Sequence, residues 1–160
     1  MPPRAVFAAV AALCAGLFGA SLYFQHIVGL EPCPMCIIQR FAFVAIGVVA
    51  AIAAIHGPGA LGQKLYSAPM ALVAVGGGGT SVRQSWIQRF PDPTGSCGAD
   101  LGFLLDNFPL TQALPKIFAG SGDCSTVSWR FLGLSMAEWA FFWFLLFLSV
   151  AVWLFLAKRK

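Results

Sequence analysis

Charge is what this sequence has little of. Asp, Glu, Lys and Arg together make up 10% of the 160 residues, against roughly 25% in an average soluble domain. With 59% hydrophobic residues, that scarcity excludes an ordinary water-soluble domain, because a chain this short cannot hide so much apolar surface. Lipid must serve as the solvent. No basic run alternates with aromatics, and the net charge is only +4, so a nucleic-acid surface is excluded as well. Three of the ten basic residues form the tail Lys158, Arg159 and Lys160, which reads as a topology signal near anionic lipid. A second CxxC is missing, so the spacing offers no closed four-ligand zinc site. Dinucleotide-binding glycines, a haem motif and cluster-type cysteine spacing are missing too.

What is present is a set of long apolar runs. The first, residues 5–24, carries no charge and is long enough to cross a ~30 Å hydrocarbon core as a helix. A cleaved signal peptide is the rival reading, since Arg4 precedes the run and Gly19-Ala20-Ser21 is small. Signal cores are typically about 7–15 residues, shorter than this run. Ala8, Ala12, Gly16 and Ala20 form a stripe of small residues that would let another helix approach closely. The second span, 35–55, is interrupted only by Gln39 and Arg40; His56-Gly57-Pro58-Gly59 ends it, and a short loop carrying Lys64 follows. The third, 68–86, contains Gly76 to Gly79, read as tight helix packing in preference to a ligand slot. The fourth, 137–156, is dense in Phe and Trp, which are assigned to lipid contact and interface anchoring, with no cofactor attached to them.

The pattern predicts a single all-α membrane domain over 1–160, a four-transmembrane-helix bundle. Arg4, Lys64 and the basic tail share one side, which the positive-inside rule makes cytoplasmic, with both termini inside. The opposite side holds the connection at 25–34 and a long loop at about 88–135. Arg89, Lys116 and Arg130 in that loop run against the rule. Within it, Leu101, Leu104, Leu105 and Phe108 recur at helical spacing, the template of a short amphipathic helix lying in the headgroup interface.

Of five cysteines, Cys14 lies mid-span and reads as a small buried hydrophobe. Cys33-Pro34-Met35-Cys36 is a CxxC where the second span opens. Pro32 and Pro34 suit a helix's opening turn, and a helix N-terminus favours a thiolate. A static structural disulfide is the rival, but so short a ring is readily reduced. Arg40 falls four residues after Cys36, on the same helix face and inside the apolar run. A charge there marks a functional site unless its head snorkels to the interface. A cation so placed would favour the Cys36 thiolate and steady a second anion. Cys97 and Cys124 sit among turn formers, Pro91 to Ser96 and Gly120 to Asp123. Bridged to each other, they would make a structural staple worth roughly 3.5 kcal/mol in the chain-entropy model. Two outer pairs also suggest an electron route by thiol–disulfide exchange, which needs a sink. With other redox motifs missing, a lipid-soluble quinone is the acceptor that elimination leaves.

Glu31-Pro32-Cys33-Pro34-Met35-Cys36-Ile37-Ile38-Gln39-Arg40 resembles the signature of the disulfide-bond-formation protein B (DsbB) family. Ser121-Gly122-Asp123-Cys124, Trp129, Phe131-Leu132-Gly133-Leu134 and Met136 resemble that family's second periplasmic cysteine region. The likeness runs from the first span into the fourth. It implies a four-helix bundle of the bacterial inner membrane that reoxidises a periplasmic thioredoxin-fold dithiol oxidase (DsbA-like) and passes the electrons to ubiquinone or menaquinone. It further implies that Cys97, paired with Cys124, meets the partner. Cys33 and Cys36 would form the second pair, with Cys36 nearest the quinone, Arg40 beside its ring and Met136 close by. Members often have His after the Arg at the end of the third span; here Arg83 is followed by Gln84, an amide that can bond a quinone oxygen but cannot supply a proton. The expected function is a membrane protein-dithiol:quinone oxidoreductase. A quinone-linked enzyme of the vitamin K epoxide reductase type is the alternative enzyme, disfavoured by the CxxC following the first span. A structural membrane protein with outer disulfides is the non-enzymatic alternative, disfavoured by Arg40 and the short CxxC.

Overall fold

The computed structural model describes residues 2–30, 32–90, 107, 109, 112, 127 and 129–157. Cys97, Cys124, the residues Leu101, Leu104, Leu105 and Phe108 that define the expected interfacial helix, and the tail 158–160 lie outside the described residues. Among the described residues there are four helices. They are α1 (Pro3–His26), α2 (Pro34–His56), α3 (Ala60–Arg89) and, after a hairpin of β1 (Arg130–Phe131) and β2 (Leu134–Ser135), α4 (Met136–Leu156). Helices α1, α2 and α4 are long and apolar enough to cross a membrane, which makes this a membrane protein.

Helix α3 departs from its expected span of 68–86. It begins at Ala60, so Lys64 sits inside the helix and the loop shrinks to 57–59, and it runs on to Arg89. Although 30 residues long, it is not among the helices apolar enough to cross by composition. The reason is visible in its inward face: Gln63, Ser67, Thr80, Ser81 and Gln84 are all buried against neighbouring helices. Its outward residues Leu61, Leu65, Leu72, Val75 and Trp86 are exposed.

The helix ends follow local chemistry. Pro3 and Pro34 occupy first-turn positions whose N–H groups would have no intrahelical acceptor. Gly57 closes α2 in the left-handed region (φ 58°, ψ 52°), where a β-carbon would be costly. Ser135 and Glu138 form a reciprocal capping box at the start of α4. The hairpin was not expected, since the sequence reads as all-α. It pairs Arg130 with Ser135 and Phe131 with Leu134 around Leu132 (φ 53°) and Gly133 (φ 81°). Two successive positive φ values suit the twist of a two-residue hairpin turn.

The core is apolar in its middle and tied by polar groups at both ends. Phe7, Val10 and Cys14 of α1 meet Phe43, Ile46 and Ala50 of α2, with Met70 and Ala74 of α3 and Phe144 and Phe147 of α4 completing the cluster. Phe43 and Phe144 stack with centroids 4.3 Å apart and an interplanar angle of 3°. Gly77 makes room for this: a β-carbon there would overlap the Phe144 ring. The packing reading of the glycine run thus holds at Gly77, whereas Gly76 and Gly79 face open space. The α1 stripe is different. Ala8, Ala12 and Gly16 are exposed, because the helix turns Phe7, Val10 and Cys14 inward instead. The close approach occurs at Gly47 of α2, against Cys14.

At one end, Arg4 donates to the Ala54 carbonyl (2.7 Å), His56 bonds Tyr66 (2.7 Å) and Gln63 donates to the Leu154 carbonyl (2.6 Å), linking each helix to the next. At the opposite end the same succession recurs with different partners, and there Cys33 and Cys36 lie.

Candidate functional site

The site forms where α2 begins. Cys33 is the N-cap; its sulfur accepts from the Cys36 backbone N–H at 3.4 Å, so the cap itself folds the CxxC into one turn. The two sulfurs stand 2.9 Å apart. Both occupy the positive end of the helix dipole, where negative charge is favoured. Cys33 is buried at 7% exposure, with Met35 and Ile87 around it, and Cys36 is half-buried.

Helical spacing then lays Cys36, Gln39, Arg40 and Phe43 along one wall of a cavity of about 340 Å³. Ser21 and Phe24 come from α1, Gln84 and Gln88 from α3, and Met136, Trp139 and Trp143 from α4. Trp129 and Phe131 lead an aromatic rim in which Phe24 meets Trp129 (5.1 Å), Trp129 stacks on Phe131 (5.8 Å) and Phe131 meets Trp139 (6.0 Å). The Trp139 indole N–H donates to the Phe131 carbonyl at 3.1 Å, fixing the hairpin against α4. The wall is mostly apolar with a few converging polar groups, the usual make-up of a small-molecule site, and its volume falls within the usual range.

Arg40 is half-buried. One guanidinium nitrogen donates to the Gln25 side chain and another to the Ser21 carbonyl at 3.1 Å, so its charge is held at the end of α1. Gln84 donates to the sulfurs. Its amide nitrogen lies 3.1 Å from Cys36 Sγ and 3.3 Å from Cys33 Sγ, while its carbonyl accepts from Gln39 Nε2 at 2.9 Å. On the rim, Arg89 pairs with Glu138 at 2.6 Å, joining α3 to the capping box of α4.

The structure therefore brings together Cys33, Cys36, Arg40, Gln84 and Met136 around one cavity. Cys97 and Cys124 lie outside the described residues. In the sequence Gln39 looks like an interruption of the second span and Gln25 like the start of a loop. Gln39 was findable, three residues after Cys36 on the face that Arg40 marks; Gln25 was not, because its role comes from the crossing of α1 over α2. The α4 aromatics also divide differently: Trp139 and Trp143 line the cavity, and Phe144 and Phe147 belong to the core.

The family model for disulfide bond formation protein DsbB matches residues 3–154. The chain belongs to the DsbB family. A disulfide bond formation protein B from Aromatoleum aromaticum is 52% identical over 156 residues, covering 98% of this chain and 94% of the relative. One from Azoarcus sp. (strain BH72) is 47% identical, with the same coverage. A third, from Acidovorax sp. (strain JS42), is 45% identical over 91% of this chain and 83% of its own length. Membership makes the chain a transmembrane oxidoreductase of disulfide bond formation.

Proposed function

We propose that this DsbB-family protein oxidises a soluble periplasmic dithiol oxidase of the DsbA type and delivers the electrons to membrane quinone. The observation that carries this is the CxxC opening onto an apolar, aromatic-rimmed cavity that also holds Arg40. Cys97 and Cys124 receive the partner's electrons by thiol–disulfide exchange, each step passing through a mixed disulfide. They then reduce the Cys33–Cys36 disulfide. Oxidation of that dithiol back to a disulfide releases two electrons and two protons. A quinone held by Arg40, Met136 and the aromatic rim would supply the sink, with both electrons and both protons ending on quinol. A partner oxidase near −120 mV can be recharged only by an acceptor that pulls harder, which respiratory quinones do.

This chain's own residues do the rest. The first turn of α2 holds Cys36 at the cavity wall. Arg40 places a fixed cation there, braced by Gln25 and Ser21, which favours an acceptor as it gains negative charge. Trp129, Phe131 and Trp139 offer flat apolar faces to a ring and keep water from it. Met136 adds a soft contact from the start of α4.

The same reading takes α3 as a fourth span. At 1.5 Å per residue its 30 residues reach about 45 Å, more than a ~30 Å core requires, and between Lys64 and Arg83 its exposed large side chains, Leu65, Leu72, Val75 and Val82, are apolar. Arg4 and Lys64 lie at the end opposite Cys33 and Cys36, which supports cytoplasmic termini and periplasmic thiols in a bacterial inner membrane. The test is anaerobic mixing of purified protein, ubiquinone or menaquinone, and a reduced thioredoxin-fold dithiol. Quinone absorbance should fall in step with dithiol oxidation; a steady quinone signal overturns the reading.

A further inference from the structure

We propose that the Gln84 carboxamide stabilises the thiolate of the Cys33–Cys36 pair, and that Gln39 is the positioning residue that keeps its N–H groups turned toward sulfur. This rests on the reading of the pair as a redox couple and adds what sets its ionisation and potential.

A glutamine side chain has two N–H donors and one carbonyl acceptor. Gln84 is buried at 3% exposure, so each must be satisfied inside the protein. Its carbonyl takes the Gln39 N–H at 2.9 Å, and Gln39 is itself buried at 5%. With the oxygen committed, the nitrogen faces Cys36 Sγ at 3.1 Å and Cys33 Sγ at 3.3 Å. A thiolate only accepts hydrogen bonds. Two donors aimed at a sulfur pair therefore match the reduced, ionised state better than the disulfide, whose sulfurs are weak acceptors.

Arg40 is the charged group among the described residues lining the cavity; those from α1, α3 and α4 are uncharged. The guanidinium is bonded to Gln25 and to the Ser21 carbonyl, while the Gln84 amide is bonded to both sulfurs. This differs from the role expected of Gln84, a bond to the acceptor's oxygen, since its nitrogen points at sulfur instead. In the couple, disulfide plus two electrons and two protons gives the dithiol, and one thiol then releases its proton to solvent. Stabilising that thiolate stabilises the reduced form and raises the potential of the pair. The pair becomes a better acceptor for electrons arriving from upstream thiols.

The test uses the full chain purified in detergent, with thiolate ultraviolet absorbance followed against pH and referenced to Cys36→Ser. Gln84→Met keeps volume and removes the donors. Its thiolate midpoint should rise by about one pH unit, roughly tenfold less thiolate at fixed pH. Its equilibrium with glutathione should shift about tenfold toward disulfide, about 30 mV. Gln39→Met should move both in the same direction by less, and Gln84→His, which returns an N–H, should restore part of the loss. Unchanged midpoint and potential in a cooperatively folded Gln84→Met protein overturn the proposal, as does a shift in Gln39→Met without one in Gln84→Met. Should Gln84→Met not fold, the wild-type ¹⁵N side-chain amide signal of Gln84 decides: it should move when the pair is reduced, and a stationary signal overturns the assignment. A wild-type Cys33–Cys36 pair that never cycles between dithiol and disulfide would overturn the redox reading itself.

Discussion

Gly77→Ala is a one-methyl change whose sign the packing decides. Exchanging Gly for Ala in a helix gains about 1 kcal/mol in intrinsic propensity. At Gly77, however, the new carbon would overlap the Phe144 ring. That ring is 1% exposed and lies flat on Phe43, which in turn meets Phe147 edge-on at 6.1 Å, so it has nowhere to retreat. Overpacking of a tight core typically costs about 1–3 kcal/mol, and with the ring trapped the upper part of that range applies. The expected net loss is about 1–2 kcal/mol. Phe144→Ala alone should cost about 3–5 kcal/mol through the cavity it leaves. In the double variant the added methyl occupies part of that cavity, so the two losses should fall short of their sum by more than about 1 kcal/mol. Gly79→Ala, facing open space on the same helix, is the control and should gain up to about 1 kcal/mol. The assay is reversible denaturant unfolding in detergent micelles followed by tryptophan fluorescence. A Gly77→Ala protein as stable as Gly79→Ala, or additive losses in the double variant, would refute the packing argument.

Arg40→Met should raise the apparent KM for quinone about tenfold or more by removing the cation at the cavity wall, with dithiol kinetics changed less; equal quinone KM values would count against its place. Ser135→Ala removes the cap of α4 and should cost about 1 kcal/mol in thermal or denaturant unfolding. Glu138→Gln breaks an ion pair whose Arg89 partner is 69% exposed, so its own cost should stay below about 1 kcal/mol; a larger loss would mean the pair is better shielded than its exposure indicates. Trp139→Phe removes the indole bond to the hairpin and should loosen the aromatic rim, seen as faster amide exchange at Phe131 to Leu134.

The apolar runs made the helices legible, and their ends were misjudged where polar residues point inward. The sequence pattern places the third span at 68–86, with Lys64 in a short loop before it and the long loop starting at about 88; in the structure Gln63 bonds the Leu154 carbonyl, Lys64 lies over Phe155, and Gln88 lines the cavity. The CxxC and Arg40 were readable from spacing alone, since one helix face carries them. The Gln39–Gln84 bond was not, because it joins residues 45 apart through the crossing of two helices. Likewise the small-residue stripe of α1 suggested a contact that the helix's rotation gives to Phe7, Val10 and Cys14. The positive φ at Leu132 hid the hairpin, as leucine does not advertise a left-handed turn.

In the proposed relay the Cys33–Cys36 dithiol hands its electrons straight to quinone. A variant lacking Cys97 and Cys124, reduced at Cys33 and Cys36 and mixed anaerobically with excess quinone, isolates that step. One quinol should form per protein, with both thiols lost to alkylation in the same proportion. Thiols that persist beside unreduced quinone, or quinol formed equally well by Cys36→Ser, would contradict it.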